Sequence, residues 1–134
     1  MLTKDIMGRI KAPKKDAGGT ALAMKLLSND YSSMPVVDDE GSVVGIVSEF
    51  DILKAIRQGK KLEDVTAADI MSGSPLCVDA EMPVDDLIDF MSERHLLRVP
   101  VVRDGKLVGA VSRRNILDSL VTVEFKESFW ILRD

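Results

Sequence analysis

Two short stretches carry the side chains best suited to chemistry. Residues 48–51 read SEFD, with a hydroxyl on Ser48 and a carboxylate on Asp51; residues 112–115 read SRRN, with Asn115 in the carboxylate's place. A Ser at a helix start with an acid three residues on is a capping-box pattern, and an acid in the first turn favours the helix dipole. The same pair facing a cleft has a second use. A carboxylate accepts hydrogen bonds from both hydroxyls of a sugar, and a helix N-terminus welcomes a phosphate. Asn115 still caps and still bonds a hydroxyl, but as a neutral group and more weakly. Arg113 and Arg114 set two cations in a first turn, where the dipole disfavours them. They read either as a solvated or ion-paired surface or as phosphate contacts.

These stretches end two copies of one longer pattern. MPVVDDEGSVVGIVSEFDIL begins at Met34, and VPVVRDGKLVGAVSRRNIL begins at Val99. With Glu40 omitted, 22 positions align and eleven are identical, where chance gives roughly one or two. DIM also recurs 64 residues apart, at Asp5–Met7 and Asp69–Met71. Each copy reads as a strand, an Asp/Gly turn, a return strand and a helix. In the first copy the strands fall at 35–37 and 43–47, and the helix runs from Ser48 to about Gln58, with Gly59 ending it. An earlier helix precedes each strand pair, over 20–29 and over 84–94, and Pro75–Val78 reads as a further strand. The unit is β-α-β-β-α, so the fold class is mixed α/β, two repeats in a pseudo-twofold pair. The expected organisation is a first repeat over 1–62, a second over 63–124 and an apolar tail over 125–134. In that tail Phe125, Phe129 and Leu132 share a helical face, which must bury itself on its own domain or on a partner.

Composition narrows the function. The chain has 134 residues, 46% of them hydrophobic, enough for a real core. No stretch approaches the roughly 20 apolar residues of a membrane helix, and MLTKDIMGRIKAPKK lacks the apolar run of a signal peptide. A cytoplasmic protein is expected. A net charge of −4 argues against nucleic-acid binding through a broad basic face. Cys77 is the one cysteine and His95 the one histidine. No disulfide, cysteine-built metal site or nucleophile–base constellation follows, so the chain reads as no enzyme and no metalloprotein. His95 reads as a surface or satisfied core residue, and Cys77 as a small packed apolar one. The glycines at 18 and 19 lack the spacing of a phosphate loop.

A strand ending in PVV, a turn, then VGIVS or VGAVS and DIL or NIL, with DIM opening each unit, resembles a CBS domain pair. The resemblance covers roughly residues 3–121. Arg9–Thr20 departs from it, where the family carries an apolar strand and a Ser/Asp-Pro turn. The resemblance implies that Ser48 and Asp51, with Ile46 before them, hold an adenosine ligand by its ribose, and that Leu76 and Cys77 line the base pocket. It implies that Arg98, two residues before Pro100, contacts phosphate; Ser33 is its uncharged counterpart. Each cleft would combine the ribose residues of one repeat with the pre-proline segment of the other. Ser112, Arg113, Arg114 and Asn115 would form the second cleft or supply phosphate contacts. The implied protein is a regulatory homodimer that binds AMP, ADP or ATP, needs no resident cofactor and acts on an unnamed protein partner. The alternative is a structural dimerisation module with empty clefts.

Overall fold

The computed structural model describes residues 1–29 and 31–121. The element order is α1 (Thr3–Ile6), α2 (Gly19–Asn29), β1 (Ser33–Val37), β2 (Val43–Ser48), α3 (Glu49–Arg57), a 3₁₀ turn (Leu62–Asp64), α4 (Ala67–Ile70), β3 (Val78–Asp79), α5 (Val84–Glu93), β4 (Arg98–Arg103) and β5 (Lys106–Ser112). A last helix, α6, occupies residues 113–121. The class is mixed α/β, as the sequence patterning implies. The expected tail, with Phe125, Phe129 and Leu132, lies outside the described residues.

Two compact units form, and neither is a continuous stretch of chain. One comprises residues 11–76 with 104–107; the other holds 1–10, 77–103 and the chain from 108 onward. In the first, β1 and β2 make an antiparallel hairpin that sets Ser33 opposite Ser48 and Met34 opposite Val47. Leu22 and Leu26, one helical turn apart on α2, join Met34, Val36, Val47, Ile52 and Ala67 in its core. In the second, β3, β4 and β5 form one sheet in that order, with Val78 parallel to Val101. Its core gathers Leu87 and Met91 of α5 with Val99, Val101, Val111 and Ile116.

The strand expected over 75–78 is shorter and shifted, since only Val78–Asp79 pairs. The first copy has no full counterpart of it among the described residues. A single parallel bridge, Lys14 to Val37, holds that place, with Lys15 N–H donating to the Val37 carbonyl at 3.0 Å. This is the segment whose sequence departs from the family pattern.

The two DIM segments explain why the units are discontinuous. Asp5 accepts from the Leu2 N–H at 2.8 Å, and Asp69 accepts from the Thr66 N–H at 2.8 Å, so each acid caps its own short helix. The chain after each helix then pairs with a β-strand of the copy it does not precede. Gly8 and Ala110 exchange backbone bonds of 2.8 and 3.0 Å, and Ser72 and Ile46 do so at 2.9 and 3.0 Å. A division at 62/63 is thus a division of the sequence repeat, whereas spatially the segment before each copy completes the other one.

The hairpin turns also follow from their residues. Asp104 and Gly105 both have positive φ, 53° and 79°, which the right-handed twist of a two-residue hairpin requires. In the longer first-copy turn, Asp38 Oδ1 accepts from the Glu40 and Ser42 N–H groups, each at 2.9 Å. Lys106 Nζ donates to the Glu40 carbonyl at 2.7 Å. The Ser42 bond foremost, with the Glu40 bond and the Lys106 charge, holds the Asp38 carboxyl below the usual aspartate value. A depressed folded pKa contributes stability above the unfolded value and loses it as pH falls through the folded one. The Asp38 resonance should therefore titrate below an ordinary aspartate by NMR, and Asp38→Asn should shrink the acid-side fall in melting temperature. An ordinary midpoint would show that the turn bonds do not favour the anion.

Candidate ligand-binding site

Ser48 leaves β2 with extended backbone and starts α3 as its N-cap. Its Oγ accepts from the Asp51 N–H at 3.1 Å, while Asp51 Oδ2 accepts from the Ser48 N–H at 2.8 Å and the Ser48 hydroxyl at 3.0 Å. Both of these bonds fall on Oδ2. Among the described residues, Oδ1 of the half-buried Asp51 has no partner. Capping thus occupies one carboxylate oxygen of two and leaves the other as an acceptor. Two residues earlier, Ile46 is half-buried, and its backbone N–H and carbonyl are both taken by Ser72.

The second copy repeats this local geometry with altered chemistry. Asn115 Oδ1 accepts from the Ser112 N–H at 2.9 Å, and Ser112 Oγ accepts from the Asn115 N–H at 3.0 Å. Here the cap consumes the one side-chain acceptor Asn115 has, and what remains is the amide donor. The Glu49 N–H donates to the Ser32 carbonyl at 2.9 Å, and the Arg113 N–H to the Leu97 carbonyl at 3.0 Å. Each helix start is thereby tied to the chain just before Ser33 or just before Arg98.

The sequence-selected residues divide between the two units. Ile46, Ser48, Asp51 and Leu76 belong to one; Cys77, Arg98, Ser112, Arg113, Arg114 and Asn115 belong to the other. Arg98 is half-buried and opens β4. Arg113 and Arg114 are exposed in the first turn of α6 and, with Asn115, line an open hollow of about 650 Å³ on their unit. The chain crosses from one unit to the other between the exposed Leu76 and the half-buried Cys77. Burial pushes the Cys77 thiol above its ordinary value, the reverse of an activated nucleophile.

Reading the sequence did not single out the glycines that lie beside these caps. A Cβ on Gly45 would stand 2.5 Å from Met71 Sδ and 2.8 Å from the Ser72 carbonyl, and one on Gly109 would stand 2.6 Å from the Gly8 carbonyl and 2.8 Å from Met7 Sδ. The Met of each DIM segment rests on the Gly of a VG pair. The constant spacing of the DIM segments was the available signal. Among the described residues, no group of three or more His, Cys, Asp or Glu side chains is placed to hold a metal, and no helix is long and apolar enough to cross a membrane.

The repeat geometry matches known proteins. A model of the CBS domain family matches residues 19–58 and 67–122. The chain belongs to the CBS domain family. Its two copies form a tandem CBS pair, and solved CBS pairs share its fold. The CBS pair of protein MJ0100, solved in complex with 5′-methylthioadenosine and S-adenosyl-L-methionine, has a TM-score of 0.74 at 29% identity, covering 92% of this chain and 98% of that one. CBSX2 in complex with AMP gives 0.78 at 26% identity, again covering 92% and 98%. Among curated relatives, an L-aspartate semialdehyde sulfurtransferase of Methanocaldococcus jannaschii is 32% identical over 86% of this chain. The chain spans 22% of that enzyme's length and 50% of another curated relative's.

Proposed function

We propose that this CBS pair is a regulatory module, not an enzyme, that binds an adenosine-containing nucleotide in the cleft between its copies. AMP, ADP and ATP are the ligands put forward. The carrying observation is Asp51: its Oδ2 serves the helix and its Oδ1 is left as an acceptor, the chemistry a ribose edge needs. The AMP bound to CBSX2 and the adenosine compounds bound to MJ0100 support adenosine as the recognised part. On this reading Ile46, Leu76 and Cys77 surround the base, and Arg98 meets the phosphate, with Arg113 and Arg114 available at the second cleft. Ligand binding favours one of two conformations, and a cytoplasmic protein partner or the homodimer reads the shift.

Calorimetry against AMP, ADP, ATP, S-adenosylmethionine and a dinucleotide tests this reading. Saturable binding of at least one is expected. Silence across the panel, with the dimer intact, would leave the structural module. If phosphate belongs to the ligand, AMP affinity should fall as salt rises, because partly exposed arginines act through screened attraction. Adenosine binding should stay nearly flat over the same range. Adenosine binding as tightly as AMP would remove phosphate from the account.

A further inference from the structure

Each unit leaves an apolar helix face uncovered. On α2 and α3 of the first-copy unit, Leu27, Phe50 and Leu53 are 76%, 79% and 56% exposed. On the second-copy unit, α5 and α6 flank a groove of about 500 Å³ that includes Ile88, Leu97, Arg113, Leu117 and Leu120. Soluble surfaces seldom expose apolar patches of this kind without a partner.

The charges around these faces say which surface fits which. The repeat alignment equates Leu53 with Leu117 and Ile56 with Leu120, so the apolar stripe is kept in both copies. At the N-terminal end of that stripe the sign inverts: Glu49 in one copy, Arg113 in the other. Beside it the sign inverts again, Lys54 against Asp118. All four of these charged residues are exposed. On the neighbouring helix, Asp85 and Asp89 border Ile88 and Ser92 of the groove, at positions where α2 carries the uncharged Thr20 and Met24.

We infer that two copies of this chain associate with crossed faces: the α2/α3 face of one protomer docks on the α5/α6 face of its partner. Like-on-like pairing would set Glu49 near its own copy and Arg113 near its own copy, along with Lys54 and Asp118. Crossed pairing sets Glu49 against Arg113 and Lys54 against Asp118, with Arg57 close to the Asp85/Asp89 rim. Juxtaposed like charges cost several kcal/mol at an interface, and complementary ones select the partner face. The inference rests on the proposed self-association and adds its orientation.

Crosslinking of the full chain in a Cys77→Ser background tests it. Leu53→Cys and Leu117→Cys proteins, oxidised separately, should give little covalent dimer, and their equimolar mixture should give a strong one. Efficient crosslinking of either protein alone, with none gained on mixing, overturns the crossed orientation and leaves the dimer standing. Charge reversal gives a second readout. Glu49→Arg alone and Arg113→Glu alone should each weaken dimerisation about tenfold or more, and the double reversal should restore it. Single reversals without effect count against crossing. A monomer by light scattering at high micromolar concentration overturns self-association and this inference together.

Discussion

Gly45→Ala and Gly109→Ala are each expected to destabilise the fold by about 1–3 kcal/mol, the usual cost of forcing a methyl into a packed site. Neither glycine needs positive φ, so the cost is steric. The new Cβ would meet Met71 Sδ at 2.5 Å or the Gly8 carbonyl at 2.6 Å. A methionine side chain can move aside, but a backbone oxygen held in a β-bridge cannot move without breaking that bridge. Met71→Ala should therefore rescue only part of Gly45→Ala, because the Ser72 carbonyl at 2.8 Å remains in the way. Urea denaturation gives the totals, and hydrogen exchange tells where the strain falls. Gly109→Ala should lower protection of the Gly8 amide, about a hundred residues away in sequence, and leave the Ser72 amide protected. Gly45→Ala should do the reverse. Full stability in both variants, with both amides still protected, would mean that the DIM segments do not rest on these glycines as the geometry places them.

That long-range pairing separates what the sequence discloses from what it hides. The strand pairs, the Asp/Gly turns and the helices capped by Ser48 and Ser112 were legible because each depends on residues within four or five positions. The family was legible because the local pattern occurs twice at one spacing. The destination of the DIM segments was not. Asp5 and Asp69 announce a cap, yet nothing local tells Met7 whether it will meet Gly45 or Gly109, and the chain chooses the copy further along. The strand expected over 75–78 shrank for a related reason: the chain crosses between units there, and Leu76 stays exposed. The candidate site was half legible. The sequence posed capping and ligand binding at Asp51 as rivals, because a one-letter code does not distinguish Oδ1 from Oδ2. Geometry removes the rivalry by giving the cap to one oxygen.

Asp51→Ala is expected to weaken adenosine-ligand binding by about 1.5–3 kcal/mol, roughly ten- to a hundred-fold, the value of hydrogen bonds to a charged group. Asn115→Ala should cost far less. The difference follows from what each cap leaves over. Asp51 keeps an acceptor, whereas Asn115 has given its side-chain oxygen to the Ser112 N–H and keeps a donor. A ribose edge donates through both hydroxyls, so it finds its complement in Asp51 and loses it in Asn115. If Arg98 reaches the cleft of Asp51, as the proposed cross-copy arrangement has it, carboxylate and cation fall on one side. The other cleft then holds Asn115 with Ser33 and only the exposed Arg113 and Arg114 in partial compensation. The expected stoichiometry is one ligand per chain. Both variants also lose a helix cap worth about 1 kcal/mol, so a fall in melting temperature alone decides nothing. Affinity measured by calorimetry well below the melting temperature separates the two effects. Asp51→Ala that melts earlier but binds as before would reduce Asp51 to a cap. Two equal sites per chain would show that the change from Asp51 to Asn115 is neutral for binding.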